Sequence, residues 1–160
     1  METIMNFMAK DHDRLDSLFG KFRNIRNNDA KEAKNLFHEF KTGLQRHIVW
    51  EEEILFPFFE EKTGMQGGPT EVMRSEHITI KGFLDKIHHE FLTFPKFQTL
   101  EKLEILENEL LEVLTNHNQK EEGILYPWID NSASETEIKD IFLKMENIPD
   151  DKYNKCCNQN

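Results

Sequence analysis

One eleven-residue phrase occurs twice in this chain, and no other feature restricts its folding so tightly. His47-Ile48-Val49-Trp50-Glu51-Glu52-Glu53-Ile54-Leu55-Phe56-Pro57 returns as His117-Asn118-Gln119-Lys120-Glu121-Glu122-Gly123-Ile124-Leu125-Tyr126-Pro127. Positions i and i+4 of a helix lie on one face, so each copy aims an imidazole and a carboxylate in the same direction. The repetition reaches further back. Asp11-His12 stands 35 residues before His47, and Glu76-His77 stands 40 before His117. Each half therefore reads as a helical hairpin: one helix with a His after an acid, a turn, and a helix with His-x-x-x-Glu.

Apolar spacing supports four long helices. The first runs from about Thr3 to Ile25, with Ile4, Met8, Leu15, Phe19 and Phe22 along its stripe. The second starts near Ala30 and carries Ala33, Phe37, Phe40, Leu44, Ile48 and Leu55. Pro69 opens the third, which carries Met73, Ile80, Leu84, Ile87 and Phe91. The fourth starts near Gln98, with Leu103, Leu106, Leu110, Leu114 and Leu125. Steps of 3 and 4 over such lengths are helical, and strand-like alternation is absent. Asn27-Asn28-Asp29, Gly64 to Pro69 and Phe94-Pro95 are the breaks. Ser134-Glu135-Thr136-Glu137 has the form of a capping box before a short fifth helix. The expected fold is all-α: an antiparallel up-down four-helix bundle over residues 1–147, including a short C-terminal helix, followed by a flexible polar tail over 148–160.

The polar residues of the repeat fall on the apolar stripes. His47 and Glu51 continue the series Phe37, Phe40, Leu44 toward Leu55, and His117 and Glu121 continue Leu106, Leu110, Leu114 toward Leu125. His12 lies between Met8 and Leu15, and His77 between Met73 and Ile80. All six positions demand a core residue. A buried carboxylate without a partner costs several kcal/mol or is forced neutral. Cations among the six remove that cost, because their charge neutralises the carboxylates and the imidazole lone pairs bind them. The expected metal ligands are His12, His47, Glu51, His77, His117 and Glu121. His88 is about 16 Å along its helix from His77, and His38 about 13 Å from His47, at 1.5 Å per residue. His89 points off the stripe, and Glu52, Glu53 and Glu122 are expected on a solvated acidic face.

Donor chemistry narrows the metal. Calcium and magnesium prefer oxygen shells, and six ligands are too many for one zinc. Histidine with bridging carboxylates suits iron, with manganese or zinc as substitutes. Two iron ions with two His each, both Glu bridging and an oxo or hydroxo bridge keep about one position open per iron. O₂, NO or peroxide fits such a position.

Composition excludes other classes. A net charge of −10 argues against nucleic acid or an anionic membrane as partner. The chain holds no run of the ~20 apolar residues a membrane span needs, and its first residues do not read as a secretion signal. Its two cysteines, Cys156 and Cys157, are adjacent in the polar tail and cannot form a disulfide framework. The expected compartment is the cytoplasm.

His12, His47-x-x-x-Glu51, His77 and His117-x-x-x-Glu121, with Glu-Ile-Leu-Phe-Pro and Ile-Leu-Tyr-Pro following, resemble the hemerythrin-like (HHE cation-binding) domain over residues 3 to 130. Oxygen-carrying hemerythrins place a His-x-x-x-His pair on the third helix and close the site with His-x-x-x-x-Asp. This chain has Lys81 four residues after His77, expected to snorkel outward at the rim of the site, and Glu121 in place of the Asp. Four His and two Glu are similar instead to the di-iron domain of the RIC (repair of iron centres) proteins. That resemblance implies recovery of iron–sulfur proteins after nitrosative or oxidative damage, with NO reduction or iron donation as the activity. A client iron–sulfur protein or redox partner would accompany it. RIC proteins usually carry a further N-terminal domain containing cysteine, which this sequence does not match. The alternative function is O₂ or NO binding, storage or sensing without catalysis.

Overall fold

The computed structural model describes residues 1–92 and 97–153, and the side chains of all of these except 97–99. Helix α1 spans Ile4–Ile25 and α2 spans Ala30–Trp50. Each start has a side-chain cap: the Thr3 hydroxyl accepts from the Asn6 N–H, and the Asp29 carboxylate accepts from the Glu32 N–H. The freed N–H groups of Ile4 and Met5 donate to Asp130, 126 and 125 residues away, at 2.8 and 2.9 Å. A carboxylate there also meets the positive end of the helix dipole, so it fixes α1 against the far end of the chain.

Beyond Trp50 the helix widens without ending. Glu51–Leu55 form a π turn, closed by the Phe56 N–H bonding the Glu51 carbonyl five residues back, and α3 continues over Phe56–Thr63. Gly64, at φ 69°, stops it in the left-handed conformation that glycine adopts without penalty. The second half repeats the design. Helices α4 (Pro69–Leu92) and α5 (Phe97–Lys120) lead to a second π turn, Glu121–Leu125, and then to α6, Tyr126–Ser132. A proline ring inside a helix collides with the carbonyl four residues earlier and lacks an N–H to donate. Pro57 and Pro127 each follow directly on a widened turn, so both copies of the phrase meet that problem in the same way.

Helix α7, Glu135–Glu146, opens on the expected capping box, with both the Ser134 and the Glu137 hydrogen bonds formed. Within the stretch read as a polar tail, Asp150–Tyr153 form a short helical turn, α8, that buries Tyr153. The break expected at Phe94-Pro95 and the pair Cys156-Cys157 lie outside the described residues. No strand occurs among the described residues, and the fold is an all-α helical bundle.

The apolar core comes in two parts. One joins α1, α2, α4 and α5 through Leu15, Phe19, Phe22, Phe37, Phe40, Leu84, Phe91 and Leu110, among others. The second gathers Ile4, Met8, Trp50, Leu55, Phe56, Met73, Leu125, Tyr126 and the inner face of α7. At the α1–α2 crossing, a Cβ on Gly43 would lie 2.8 Å from the Leu15 side chain. A side chain there would require the ends of Leu15 and Arg14 to move aside.

Within the larger part sits one buried ion pair. The Arg26 guanidinium grips Glu107 with two bonds of 2.9 Å, and Arg23 adds a third at 3.2 Å. Removing one member strands the other charge in the core, which costs about 3–5 kcal/mol. Glu107→Ala should therefore lower unfolding stability by about that much in urea denaturation, whereas Lys144→Ala, which breaks an exposed pair with Asp140, should change it by under about 0.5 kcal/mol.

Candidate metal centre

The six polar residues singled out by the repeat form a layer between the two halves of the core. Glu51, His77 and Glu121 are completely buried, and His12, His47 and His117 nearly so. Four long segments supply them: α1 gives His12, α2 and its π turn give His47 and Glu51, α4 gives His77, and α5 with the second π turn gives His117 and Glu121.

Each imidazole is held from behind by a carboxylate. His47 Nδ1 lies 2.9 Å from Asp11 Oδ2, and His117 Nδ1 lies 2.6 Å from Glu76 Oε2. His12 Nδ1 lies 2.6 Å from Glu122 Oε1, and His77 Nδ1 lies 2.9 Å from Glu52 Oε1. An ionised carboxylate only accepts, so each Nδ1 carries the proton and donates it. Every Nε2 is turned to the interior, the arrangement by which metal-binding histidines are oriented. The pattern follows the internal repeat. Asp11 and Glu76 serve a histidine of their own hairpin, while Glu52 and Glu122 reach across to the other one.

On the inner side the donors converge. Glu51 Oε2 is 3.1 Å from His77 Nε2, which is 3.0 Å from His117 Nε2; Glu121 Oε1 is 2.7 Å from His117 Nε2. The other oxygens of the same carboxylates turn the opposite way: Glu121 Oε2 is 3.3 Å from His12 Nε2, and Glu51 Oε1 is 3.6 Å from His47 Nε2. Two groups able to hold a cation result, Glu51, His77, His117 and Glu121 on one side and His12, His47 and Glu121 on the other. Neighbouring donors around one ion at bond lengths near 2.1 Å are about 3 Å apart, which is the spacing found. His12 Nε2, Glu51 Oε2 and Glu121 Oε1 are buried and make no hydrogen bond. Buried lone pairs left without donors are what a cation satisfies, so the residues fit a two-metal site.

In the absence of a cation, protons take its place. Burial opposes the charged form of His47, yet the Glu51 charge and the bond to Asp11 outweigh it and raise its pKa to about 10. His77 is raised to about 9, burial again being overcome by Glu51 and Glu52, and His117 is raised through Glu121. Glu51 moves the other way: burial would raise it, but the charges of His47 and His77 hold it well below the usual carboxylate range.

The profile of the hemerythrin HHE cation binding domain matches residues 3–129. The chain belongs to the hemerythrin HHE cation-binding family. Among its relatives is an uncharacterised hemerythrin-like protein of Schizosaccharomyces pombe, 32% identical over 86% of this chain and 64% of that protein. The iron–sulfur cluster repair protein YtfE of Cronobacter sakazakii is 36% identical over 58% of this chain and 43% of its own length. A protein of Nostoc described as a DNA nickase is 24% identical over 82% of this chain and 34% of its own. The chain thus spans between about one third and two thirds of these relatives. No solved structure matches it.

Two parts of this hemerythrin-type site depart from the sequence reading. Glu52 and Glu122 stay 30% and 35% exposed but are not simply solvated: each sits one residue past a Glu of the phrase, about 100° round the helix, where its carboxylate also reaches a histidine of a neighbouring helix. Tyr126 was not foreseen at all. It is completely buried, and its hydroxyl bonds to Glu51 and, at 3.0 Å, to Glu121 Oε2, with His47 Nε2 at 3.3 Å. Burial and the two carboxylates push its pKa well above the ordinary value, so without a cation it is a neutral donor. The difference between Phe56 and Tyr126 in the repeat was the available signal. Lys81 stays at the rim, 3.9 Å from Glu52, and His38 and His89 are exposed. His88 lies half-buried beside Phe37, away from the layer.

Two outcomes follow from these contacts. His47 and His77 hold protons that the unfolded chain releases above pH 6.5. Metal-free protein should lose thermal stability as pH rises from about 6.5 toward 10, and metal-loaded protein should not, as calorimetry across that range will measure. Glu122→Gln and Glu52→Gln should each weaken metal affinity about 10–100-fold, read by competition with a chelator, whereas the exposed Glu53→Gln should leave it unchanged.

Proposed function

We propose that this chain is a non-haem di-iron protein acting on small ligands such as NO or O₂ in nitrosative or oxidative stress, with a role like that of the RIC proteins. The observation that carries this reading is the division of the two glutamates, each turning one oxygen toward a different pair of histidines. His12 and His47 would hold one iron and His77 and His117 the other, with Glu51 and Glu121 available to both. Manganese or zinc could occupy the same donors, but the nitrogen-rich, carboxylate-bridged set suits iron best.

When bound, the iron pair supplies redox-active positions at which a small ligand is taken up and reduced. The protein's own contribution is geometric and electrostatic. Four carboxylates fix the histidine rings by their Nδ1 protons, so the Nε2 lone pairs need no reorientation on metal uptake. The apolar clusters on both sides keep bulk water from the layer. The named activity of the YtfE relatives, iron–sulfur cluster repair, extends to this chain as part of the proposal, with an iron–sulfur protein as client or redox partner in the cytoplasm. The nickase relationship does not carry over, because a net charge of −10 repels a polyanion. No helix among the described residues is long and apolar enough to cross a membrane.

The test is direct. Purified protein should contain about two irons per chain and show visible charge-transfer absorption; colourless, iron-free protein after iron supplementation overturns the reading. Anaerobic addition of NO to the reduced protein should give N₂O, and stable NO binding without N₂O would make the chain a binder or sensor. His77→Ala should lose iron while His88→Ala keeps it; equal loss in both would break the ligand assignment.

A further inference from the structure

We propose that Tyr126 is a seventh protein ligand, bound to the metal on the His12/His47 side only, so that external small molecules bind on the His77/His117 side. This rests on the two-metal reading above. The repeat makes the two sides nearly equivalent, pairing His12 with His77, His47 with His117 and Glu51 with Glu121. It fails at one place facing the site. Where the second copy has Tyr126, the first has Phe56.

The geometry assigns the tyrosine to a side. Its hydroxyl bonds to Glu51 Oε1, stands 3.0 Å from Glu121 Oε2 and lies 3.3 Å from His47 Nε2. Those two carboxylate oxygens are the ones that face His47 and His12. Its ring lies 6.0 Å from that of His12, centroid to centroid. The phenol oxygen is therefore at the mutual spacing of donors sharing one ion, roughly 3 Å, with Glu121 and His47, and is directly bonded to Glu51. On the opposite side the Phe56 ring stacks on His77, 5.6 Å between centroids and 15° from parallel. It offers no donor atom there. The donor sets are then five on one side (His12, His47, Glu51, Glu121 and Tyr126) and four on the other.

Local helix geometry makes this contact. In an α-helix residue i+5 points about 140° away from residue i, which would turn Tyr126 from Glu121. The π turn over Glu121–Leu125 brings position 126 back above 121, with the Tyr126 N–H bonded to the Glu121 carbonyl. Metal binding to a phenol displaces its proton, which leaves to solvent as protons do when metals bind cysteine or histidine. The added negative charge stays on one metal. The pair becomes electronically unequal, and the four-donor side keeps more room for an exogenous ligand.

Loading wild-type protein and Tyr126→Phe with iron(II), oxidising both in air, counting iron and recording visible and resonance Raman spectra tests this. Wild type should show a broad phenolate-to-iron(III) absorption with phenolate ring vibrations enhanced under it. Tyr126→Phe should keep about two irons and lose both signals. Tyr153, the chain's other tyrosine, lines a surface pocket with Phe7, Trp50 and Phe142, so Tyr153→Phe should change neither. Two irons in wild type without phenolate vibrations would overturn the proposal and leave the two-metal reading standing. Fewer than two irons in wild type would remove both. The wild-type spectrum decides even if the variant folds poorly.

Discussion

Four imidazoles and two carboxylates buried between two apolar clusters are the constraint to which the rest of this fold answers. Such a layer is unfavourable by itself, since every ionised group in it has given up hydration. The chain compensates with a complete outer set of carboxylates, Asp11, Glu52, Glu76 and Glu122, each bonded to one histidine. Those four are themselves near the edge of the core, where Arg14 supports Asp11, Lys81 approaches Glu52 and Lys120 pairs with Glu76. Charge is thus graded from the centre to the surface. His12 Nε2, Glu51 Oε2 and Glu121 Oε1 still make no hydrogen bond, a demand that a cation would meet.

The two π turns are the second structural condition. They begin at Glu51 and Glu121 and end just before the aromatic-Pro pair. A widened turn inside a long helix weakens local hydrogen bonding, so its presence twice at equivalent places points to a requirement of the site. It reconciles a helix that must carry His and Glu at i and i+4 with one that must tolerate proline two residues after the turn. It also changes which later residues face inward. Phe56 and Tyr126 come to lie directly over the glutamates, one as an apolar wall and one as a polar group.

Long-range order was readable because the same hydrophobic spacing governs helices and core. Four amphipathic stretches, their breaks and the capping box of α7 all leave local marks, and the six inward polar residues interrupt an otherwise apolar stripe. What escaped was whatever depends on departures from 3.6 residues per turn or on the neighbouring helix. Tyr126 was hidden because ideal α periodicity turns it away from Glu121. The histidine contacts of Glu52 and Glu122 are not legible because a residue 100° off the stripe meets only solvent on a lone helix, but also a partner in a bundle. Asp130 capping α1 could not be read locally at all, being a contact across 126 residues.

Internal repetition explains why the site is nearly symmetric, and the exception explains why it need not act symmetrically. The repeated hairpin supplies two histidine pairs, two central glutamates and four carboxylates behind the rings. One hydroxyl separates Tyr126 from Phe56, and it falls among the donors rather than behind them. In a dry layer a single oxygen is a large perturbation, because low polarity magnifies each charge it carries or displaces. The two halves of the layer therefore differ by one buried hydroxyl although the backbone around them is alike. A layer built by repetition is made unequal by one aromatic residue.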